Sequence, residues 1–418
     1  MAENKDKKVL NVPNIRFKEF KEEWEEKRLE EICKTITDFV AAGSFASLKK
    51  NVRYFQEDNY AQLIRTIDLK NNFTNNDFVY VDKVAYDFLW RVQLTKSYIV
   101  LPNIGANIGE KYYIDPLNLP KERNVLGPNA ILLNSECNTH FVYFRLSTSS
   151  YDNQIKKLVG ASGQPKFNKT DLKKVNLFIP SVQEQNKIAD FLRLIDERIA
   201  TQNKIIDKLE SLIKGLNDTL YAQYGSVQST SFAELGHSYS GLSGKSAEDF
   251  GKGKPFITYL NVYSNNIINE KEYQYVSIEE GEKQNKVKYG DVLFTLSSET
   301  PNEVGIGAVY LGEDEVYLNS FCFGIHIENK KLTYSPYLSF YISSTPFRKF
   351  IYPFAQGSTR FNLCKADFEK AKIQLPTLEN QKRIYSILNS LTLKTETEKN
   401  VLKQYELQKQ YLLRHMFI

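Results

Sequence analysis

The chain has 418 residues, of which 42% are hydrophobic and 25% charged. This is a globular composition, and at roughly 150 residues per domain it predicts two or three domains. The net charge of +5 excludes an acidic DNA mimic but does not by itself establish nucleic-acid binding. The start, Met1–Lys8, has no signal-peptide core and no apolar run reaches the roughly 20 residues of a membrane span, which predicts a soluble, cytoplasmic protein with no membrane partner.

Motifs for catalysis or metal binding are not found. The four cysteines and four histidines are too scattered for a zinc site or a disulfide framework. Gly241–Ser246 reads G-L-S-G-K-S, but a phosphate-binding loop of this type needs glycine where Tyr239 stands. We therefore expect no catalytic residue, no metal and no cofactor in this chain.

Short apolar runs indicate strands in a mixed α+β protein. Small-residue stretches at 41–48 and 240–246 are interpreted as loops. The strands are predicted at Val79–Val81, Tyr98–Leu101, Ala130–Leu133, Val292–Leu296 and Phe321–Ile327.

The sequence contains an internal repeat with a period near 196 residues. Residues 163–188 resemble residues 357–384, and weaker matches upstream follow in the same order. Such a string of shared landmarks indicates duplication. The matched residues are Gly163, Phe167, Asn168, Asp171, Lys174, Pro180, Gln185 and Ile188 in the first copy, and Gly357, Phe361, Asn362, Asp367, Lys370, Pro376, Gln381 and Ile384 in the second.

Each copy ends in a heptad pattern that predicts a long helix, the first at 183–221 and the second at 379–416. The first helix would be roughly 58 Å long at 1.5 Å per residue. We expect the two helices to pair as a coiled coil, with Gln202 facing Glu398 or a neighbour. The predicted seam is Ile188, Leu192, Ile195, Ile199, Gln202, Ile206, Leu209, Ile213, Leu216 and Leu220 on the first helix, and Ile384, Leu388, Leu391, Leu402, Tyr405 and Leu412 on the second.

Basic residues concentrate just before each helix, with a net charge of +5 over 145–174 and +3 over 341–370. Each stretch holds a glycine-containing polar loop next to Phe-Asn, and such loops can approach phosphates or base edges. A solvated turn that merely joins domain to helix is the alternative interpretation. The candidate DNA-binding residues are Gly163, Gln164, Lys166, Asn168 and Lys169 in the first loop, and Gly357, Ser358, Thr359, Arg360 and Asn362 in the second.

Further landmarks are the order of domains and helices, the motif P-x-x-x-E-Q-x-x-I-A from Pro180 to Ala189, the opening Pro13–Leu29, and G-D-V-L-F from Gly290. In these features the chain resembles the specificity subunits of type I restriction-modification systems. The second copy departs from the motif at Asn380 and Tyr385, and the first domain has Tyr98–Leu101 in place of G-D-[IV]-L.

This resemblance implies two mixed α/β target-recognition domains separated by two long antiparallel helices, in a pseudo-twofold internal repeat. Each domain would read half of a bipartite double-stranded DNA target in defence against foreign DNA, and the helices would set the gap and dock two modification subunits. Those subunits would methylate adenine with S-adenosylmethionine, and restriction subunits would use ATP and Mg²⁺.

The implied boundaries are 1–166 and 225–360 for the recognition domains, and 167–224 and 361–418 for the helical spacers. The rival hypothesis is a coiled-coil scaffold that organises protein partners without touching DNA. It accounts for the helices but leaves the duplicated basic loops unexplained.

Overall fold

The computed structural model describes residues 11–105, 107–159, 165–224 and 227–418. The chain divides into two compact units. Unit 1 comprises Met1–Thr201 with Val401–Ile418, and unit 2 comprises Gln202–Asn400. The C-terminal residues Val401–Ile418 therefore belong to the same unit as the N-terminal half of the chain.

Unit 1 is built on a four-stranded antiparallel sheet and a three-stranded mixed sheet. The strands are β1 (Glu25–Arg28), β2 (Cys33–Asp38), β3 (Ala61–Ile64), β4 (Val79–Val81), β5 (Tyr98–Pro102), β6 (Tyr112–Ile114), β7 (Asn124–Leu126), β8 (Ala130–Ser135) and β9 (Asn176–Ile179). The helices are α1 (Leu29–Ile32), α2 (Phe45–Asn51), α3 (Thr66–Lys70), α4 (Lys83–Phe88), α5 (Thr139–Leu146), α6 (Ser149–Leu158), α7 (Lys169–Lys173) and the long α8 (Val182–Tyr224), which continues into unit 2.

The strand orders of unit 1 are β2-β8-β5-β6 in the larger sheet, β4-β3-β7 in the mixed sheet and β1-β9 in a two-stranded ladder. In the mixed sheet β3 pairs antiparallel with β4 and parallel with β7.

Unit 2 repeats this plan. Its strands are β10 (Gln228–Thr230), β11 (Gly236–Ser240), β12 (Phe250–Ile257), β13 (Gln274–Val276), β14 (Val292–Thr295), β15 (Ser297–Ser298), β16 (Gly307–Val309), β17 (Tyr317–Leu318), β18 (Cys322–Ile327), β19 (Ala355–Gln356), β20 (Phe361–Leu363) and β21 (Ile373–Leu375). Its helices are α9 (Phe232–Leu235), α10 (Tyr259–Ser264), α11 (Ser335–Tyr341), α12 (Thr345–Ile351), α13 (Lys365–Lys370) and α14 (Leu378–His415), the last of which continues into unit 1.

The sheets of unit 2 match those of unit 1 strand for strand, with orders β11-β18-β14-β16, β13-β12-β17 and β10-β21. Unit 2 also has a small sheet, β15-β20-β19, and at the corresponding place the described residues of unit 1 show a bridge between Ile104 and Lys166. The internal repeat and the five strands predicted from the sequence are confirmed.

The matched glutamines of the repeat explain why each long helix begins where it does. Gln185 is 2% exposed, and its amide donates to the carbonyl of Pro180 at 2.9 Å while its oxygen accepts from the Asn138 backbone at 3.2 Å. Gln381 makes the corresponding bonds to Pro376 and Tyr334. Each glutamine thus ties the start of a long helix to the segment before α5 or α11.

The two long helices run antiparallel within each unit. In unit 1, Lys409 of α14 pairs with Asp196 of α8 at 2.5 Å. In unit 2, the Gln202 amide donates to the Glu398 backbone carbonyl at 3.1 Å and to the Glu398 carboxylate, as the heptad pattern predicted. Later residues of α8 join the cluster that contains Ile384 and Leu388 near the start of α14.

Every residue of the predicted seam is buried or half-buried. The buried ones are Ile188, Leu192, Ile195, Gln202, Ile206, Ile384, Leu388 and Leu412, and the half-buried ones are Ile199, Leu209, Ile213, Leu216, Leu220, Leu391, Leu402 and Tyr405.

The small-residue stretch at 41–48 is not a loop, and that expectation was wrong. Asp38 caps a 3₁₀ turn at Phe39–Ala42, and the Ser44 hydroxyl accepts from the Ser47 amide at 3.2 Å to start α2. The serine N-cap satisfies an amide at the helix start that would otherwise be unpaired, and Ala46, Leu48, Lys49 and Lys50 then favour the helix by their high intrinsic propensity.

Candidate nucleic-acid interface

The first predicted loop is described from Pro165 onward, so Gly163 and Gln164 lie outside the described residues. Lys166 is exposed, and no hydrogen bond or ion pair engages its side chain within the described part of the chain. Phe167, 5% exposed, fixes its position because its amide donates to the Asn103 carbonyl and its carbonyl accepts from the Asn103 side chain, each at 3.1 Å. The loop is therefore held to the edge of unit 1 with Lys166 facing solvent.

Asn168 and Lys169 have structural partners. The Asn168 side-chain oxygen caps α7 by accepting from the Asp171 amide at 2.8 Å. The Lys169 ammonium pairs with the Asp38 carboxylate at 2.8 Å. Of the described candidates in this loop, Lys166 is therefore the cation whose side chain is free to contact a phosphate.

The second loop is exposed from Gly357 to Arg360. Gly357 has φ +138°, and a Cβ there would lie 2.1 Å from the Arg360 carbonyl oxygen, so glycine is required. The tight turn brings Ser358 and Thr359 to the surface before β20 begins.

Arg360 lines a groove of about 730 Å³ in unit 2. Its Nε donates to the Ser297 hydroxyl at 3.2 Å, and Asn362 lies exposed in β20 opposite Ser297. The groove is completed by Thr359, Ser298, Glu299, Glu303, Tyr259, Leu260 and Tyr263.

The groove carries both signs of charge. Glu303 accepts hydrogen bonds from the hydroxyls of Thr300, Tyr263 and Ser298, and these lower the pKa of its carboxyl. A guanidinium and a fixed carboxylate side by side suit the mixed donors and acceptors of base edges better than a row of phosphates.

Two arginines of the basic stretches, Arg145 and Arg348, are held by hydrogen bonds within the protein and are not free charges on its surface. Arg145 is 1% exposed, donates to the Thr148 hydroxyl at 2.8 Å, and burial lowers its pKa to about 10. Arg348 donates to the backbone carbonyls of 302, 304 and 305 and so holds the loop beside Arg360. The window charges of +5 and +3 therefore overstate the surface charge.

A second groove, which is basic and was missed by sequence reasoning, lies in unit 1. Its volume is about 520 Å³, and its cations are Lys34, Arg91, Lys96 and Lys169. Trp90 is 63% exposed with the Arg91 guanidinium 4.9 Å from its ring centroid. The adjacent Trp90 and Arg91 were the sequence signal that could have indicated this groove. Their exposure, however, depends on the packing of distant strands and could not be predicted.

Matching helices also present matching apolar residues to solvent. Ile67 of α3 is 42% exposed and Leu260 of α10 is 69% exposed, at corresponding places in the repeat. Both were missed, because hydrophobicity alone predicts burial.

The lysine of G-L-S-G-K-S is already engaged. Lys245 is 8% exposed at its side chain and pairs with Glu282 at 2.6 Å. Tyr239 lies in β11 and donates to the Asp291 carboxylate at 2.7 Å. The segment thus works as a structural turn of unit 2.

We expect Glu282→Gln to remove a pH-dependent part of the stability. Hydrogen bonds from Lys245, Gln284 and the Glu279 amide lower the pKa of Glu282 from 4.5 to about 2. A depressed folded-state pKa stabilises the protein above the unfolded pKa, and this contribution is lost as the pH falls from about 4.5 towards about 2. Urea unfolding should show a wild-type advantage at pH 7 that narrows below about pH 4.5.

The matched control is Glu280→Gln, since Glu280 is exposed and the described residues give it no hydrogen bond or ion pair. It should track the wild type at every pH. A gap between Glu282→Gln and wild type that stays constant down to acid pH would contradict the assignment.

Within the described residues, no three His, Cys, Asp or Glu side chains lie close enough to hold a metal ion. No helix in the same part of the chain is long and apolar enough to cross a membrane.

The architecture is that of known restriction-modification subunits. A type I restriction-modification S subunit from M. genitalium is similar over 97% of this chain and 99% of its own, with a TM-score of 0.55 and 16% identity. A chain solved in work on complex assembly and conformational transition of the type I R-M system is similar over 94% of this chain and 98% of its own, with a TM-score of 0.57 and 13% identity. These likenesses define the fold class.

The sequence comparison extends this from fold to family. The family model of the type I restriction modification DNA specificity domain matches residues 21–211 and 231–407, so the chain belongs to that family. A provisionally named type I restriction enzyme MjaX specificity subunit of Methanocaldococcus jannaschii is 24% identical, over 97% of this chain and 95% of its own.

Proposed function

We propose that this chain selects the DNA target of a type I restriction-modification complex and performs no chemistry itself. Residues 1–166 and 225–360 are the recognition domains in this proposal, and residues 167–224 and 361–418 are the helical spacers. Each recognition domain reads one half of a bipartite site in double-stranded DNA, and the helix pair sets the unread gap between the halves.

The observation that carries the proposal is the repeated placement of an exposed cation. Lys166 and Arg360 both stand immediately before the shared Phe-Asn and α7 or α13, on two units of matching topology. A coiled-coil scaffold would need neither the duplicated domains nor a cation kept at the same place in both. Two similar reading surfaces on one chain suit a target made of two separated parts.

The chemistry belongs to partner subunits. Two modification subunits that bind S-adenosylmethionine would dock on the helix pair and methylate adenine, and restriction subunits would use ATP and Mg²⁺ to translocate and cleave. Two modification subunits are expected because a duplicated chain offers two equivalent docking surfaces. The complex would act in the cytoplasm on incoming DNA.

Methylome sequencing tests the proposal directly. A host that carries this gene with its modification gene should show methylated adenines in one bipartite motif with a fixed gap, and deletion of this gene alone should abolish that motif. Methylation that persists unchanged after the deletion, or a motif without a gap, would contradict the proposal.

We expect Lys166→Ala and Arg360→Ala each to weaken DNA binding by the assembled complex. If the side chain contacts a phosphate, the loss is uniform across sequences and lowers the slope of log K against log salt by about 0.9. If it contacts a base, discrimination falls at one position instead. Fluorescence anisotropy over a salt series, on cognate and substituted duplexes, separates the two cases.

Lys331→Ala is the matched control, because Lys331 is an exposed lysine beyond the Ile327 end of β18, while Arg360 lies near the Cys322 end. Its affinity and salt slope should equal those of the wild type. Unchanged binding in both loop variants would remove the loops from the interface.

A further inference from the structure

Helix α2 is a surface element of unit 1 that sequence reasoning took for a loop. Phe39 and Leu48 are 6% and 7% exposed and pack into the core of unit 1, which fixes the segment on both sides of the helix start. Phe45, between them, is 84% exposed. An exposed aromatic side chain on an ordered, capped segment gains no free energy of burial in the isolated unit, and would gain it only on contact with a partner.

The surroundings of Phe45 indicate a polyanion. Over residues 33–54 there are four cations, Lys34, Lys49, Lys50 and Arg53, against the single acid Asp38, which already pairs with Lys169. The side chains of Lys49, Lys50 and Arg53 are exposed and make no hydrogen bond or ion pair within the described residues. Cations on the same short segment as an exposed aromatic residue are typical of nucleic-acid contacts.

The same helix walls a groove that leads to the predicted DNA loop. The groove has a volume of about 530 Å³, and its lining includes Phe45 and Lys49 of α2 together with Asn103 and Ile104. Ile104 bridges to Lys166. The surface around α2 is therefore continuous with the cation that both copies of the repeat keep.

In the described part of unit 2, no such helix lies at the matching place. The described residues between β11 and β12 form a turn and a 3₁₀ segment, and Lys245 there is paired with Glu282. Two domains that share a scaffold but read different half-sites must differ where they touch the bases. The insertion of α2 in one unit alone is such a difference.

We propose that α2 is a specificity-determining element of unit 1, in which Phe45 contacts base edges or a base step and Lys49, Lys50 and Arg53 hold the flanking phosphates. This inference rests on the proposed function. Apolar contact with a thymine methyl, or insertion between base pairs, are the two ways in which an exposed phenylalanine reads DNA.

The test compares Phe45→Ala with Leu117→Ala in the complex assembled with its modification subunits. Leu117 is 92% exposed and follows β6, at the opposite edge of the sheet from β2 and α2, so it matches Phe45 in exposure but not in place. Binding and methylation are measured on duplexes substituted at each position of each half-site. Phe45→Ala should reduce discrimination about tenfold or more in one half-site and leave the other unchanged, while Leu117→Ala should change neither.

A second variant, Lys49→Gln with Lys50→Gln, should weaken binding to all sequences and lower the salt slope by about 0.9 for each phosphate that is no longer neutralised. If Phe45→Ala keeps full discrimination in both half-sites, the proposal is overturned. Failure of Phe45→Ala to assemble with the modification subunits would also overturn it, since α2 would then be a protein-docking surface. A wild-type complex that discriminates neither half-site would instead refute the proposed function.

Discussion

Arg16→Ala should destabilise unit 1 by about 3 to 5 kcal/mol. The Arg16 guanidinium meets the Glu184 carboxylate through two bonds of 2.7 Å, and the side chains are 12% and 1% exposed. Removal of one partner leaves a buried carboxylate without its countercharge, which costs far more than the pair itself contributes. Urea unfolding followed by tryptophan fluorescence would measure the loss, because Trp24 and Trp90 both lie in unit 1.

The second copy of the repeat suggests the control for this variant. Asn380 stands where the first copy has Glu184, so a neutral amide is tolerated at this position of the scaffold. Adding Glu184→Asn to Arg16→Ala should recover most of the lost stability, since no charge then remains buried. If the two substitutions simply add, the ion pair is not the cause of the effect.

Phe368→Ala should destabilise unit 2 by about 4 kcal/mol. Phe368 is 0% exposed, and its ring centroid lies 5.2 Å from those of both Phe232 and Phe294. Truncation to alanine leaves a cavity among rings that cannot collapse to fill it. Since unit 2 has no tryptophan, hydrogen exchange of peptides from Phe232–Leu235 and Val292–Thr295 would report the change.

Phe368→Leu is the control, because Leu172 occupies the matching position of unit 1 and is also fully buried. A leucine should lose clearly less than alanine. Equal losses would mean that the aromatic contacts, and not the filled volume, stabilise the cluster.

The features that could be predicted from the sequence are those that depend on periodicity and on motifs. The heptads of α8 and α14, the repeat, and the meeting of Gln202 with Glu398 follow from spacing along the chain, and the structure confirms them. The strands at Tyr98–Pro102 and Cys322–Ile327 are short apolar runs of the kind that a buried sheet requires.

The rest depends on contacts between distant parts of the chain. Arg16 and Glu184 lie 168 residues apart, and no local signal gives the pairing of β1 with β9 that joins their two segments. From the sequence, Arg145 and Arg348 counted as free surface charges, but packing buries Arg145 and leaves Arg348 half-buried against backbone carbonyls. The helix at 45–51 went unrecognised because its cap, Ser44, lies among small residues that also suit a loop.

Because unit 1 is formed by two separate stretches of the chain, its folding during synthesis on the ribosome must wait for the second stretch. Leu412, Met416 and Phe417 are buried in the core of unit 1, whereas unit 2 is a single stretch from 202 to 400. At roughly 5 to 20 residues per second, about 10 to 40 seconds separate synthesis of residue 201 from that of Leu412. The unit begun first is therefore finished last. The apolar surface that Leu412, Met416 and Phe417 cover stays open during that interval, while the later unit can already fold.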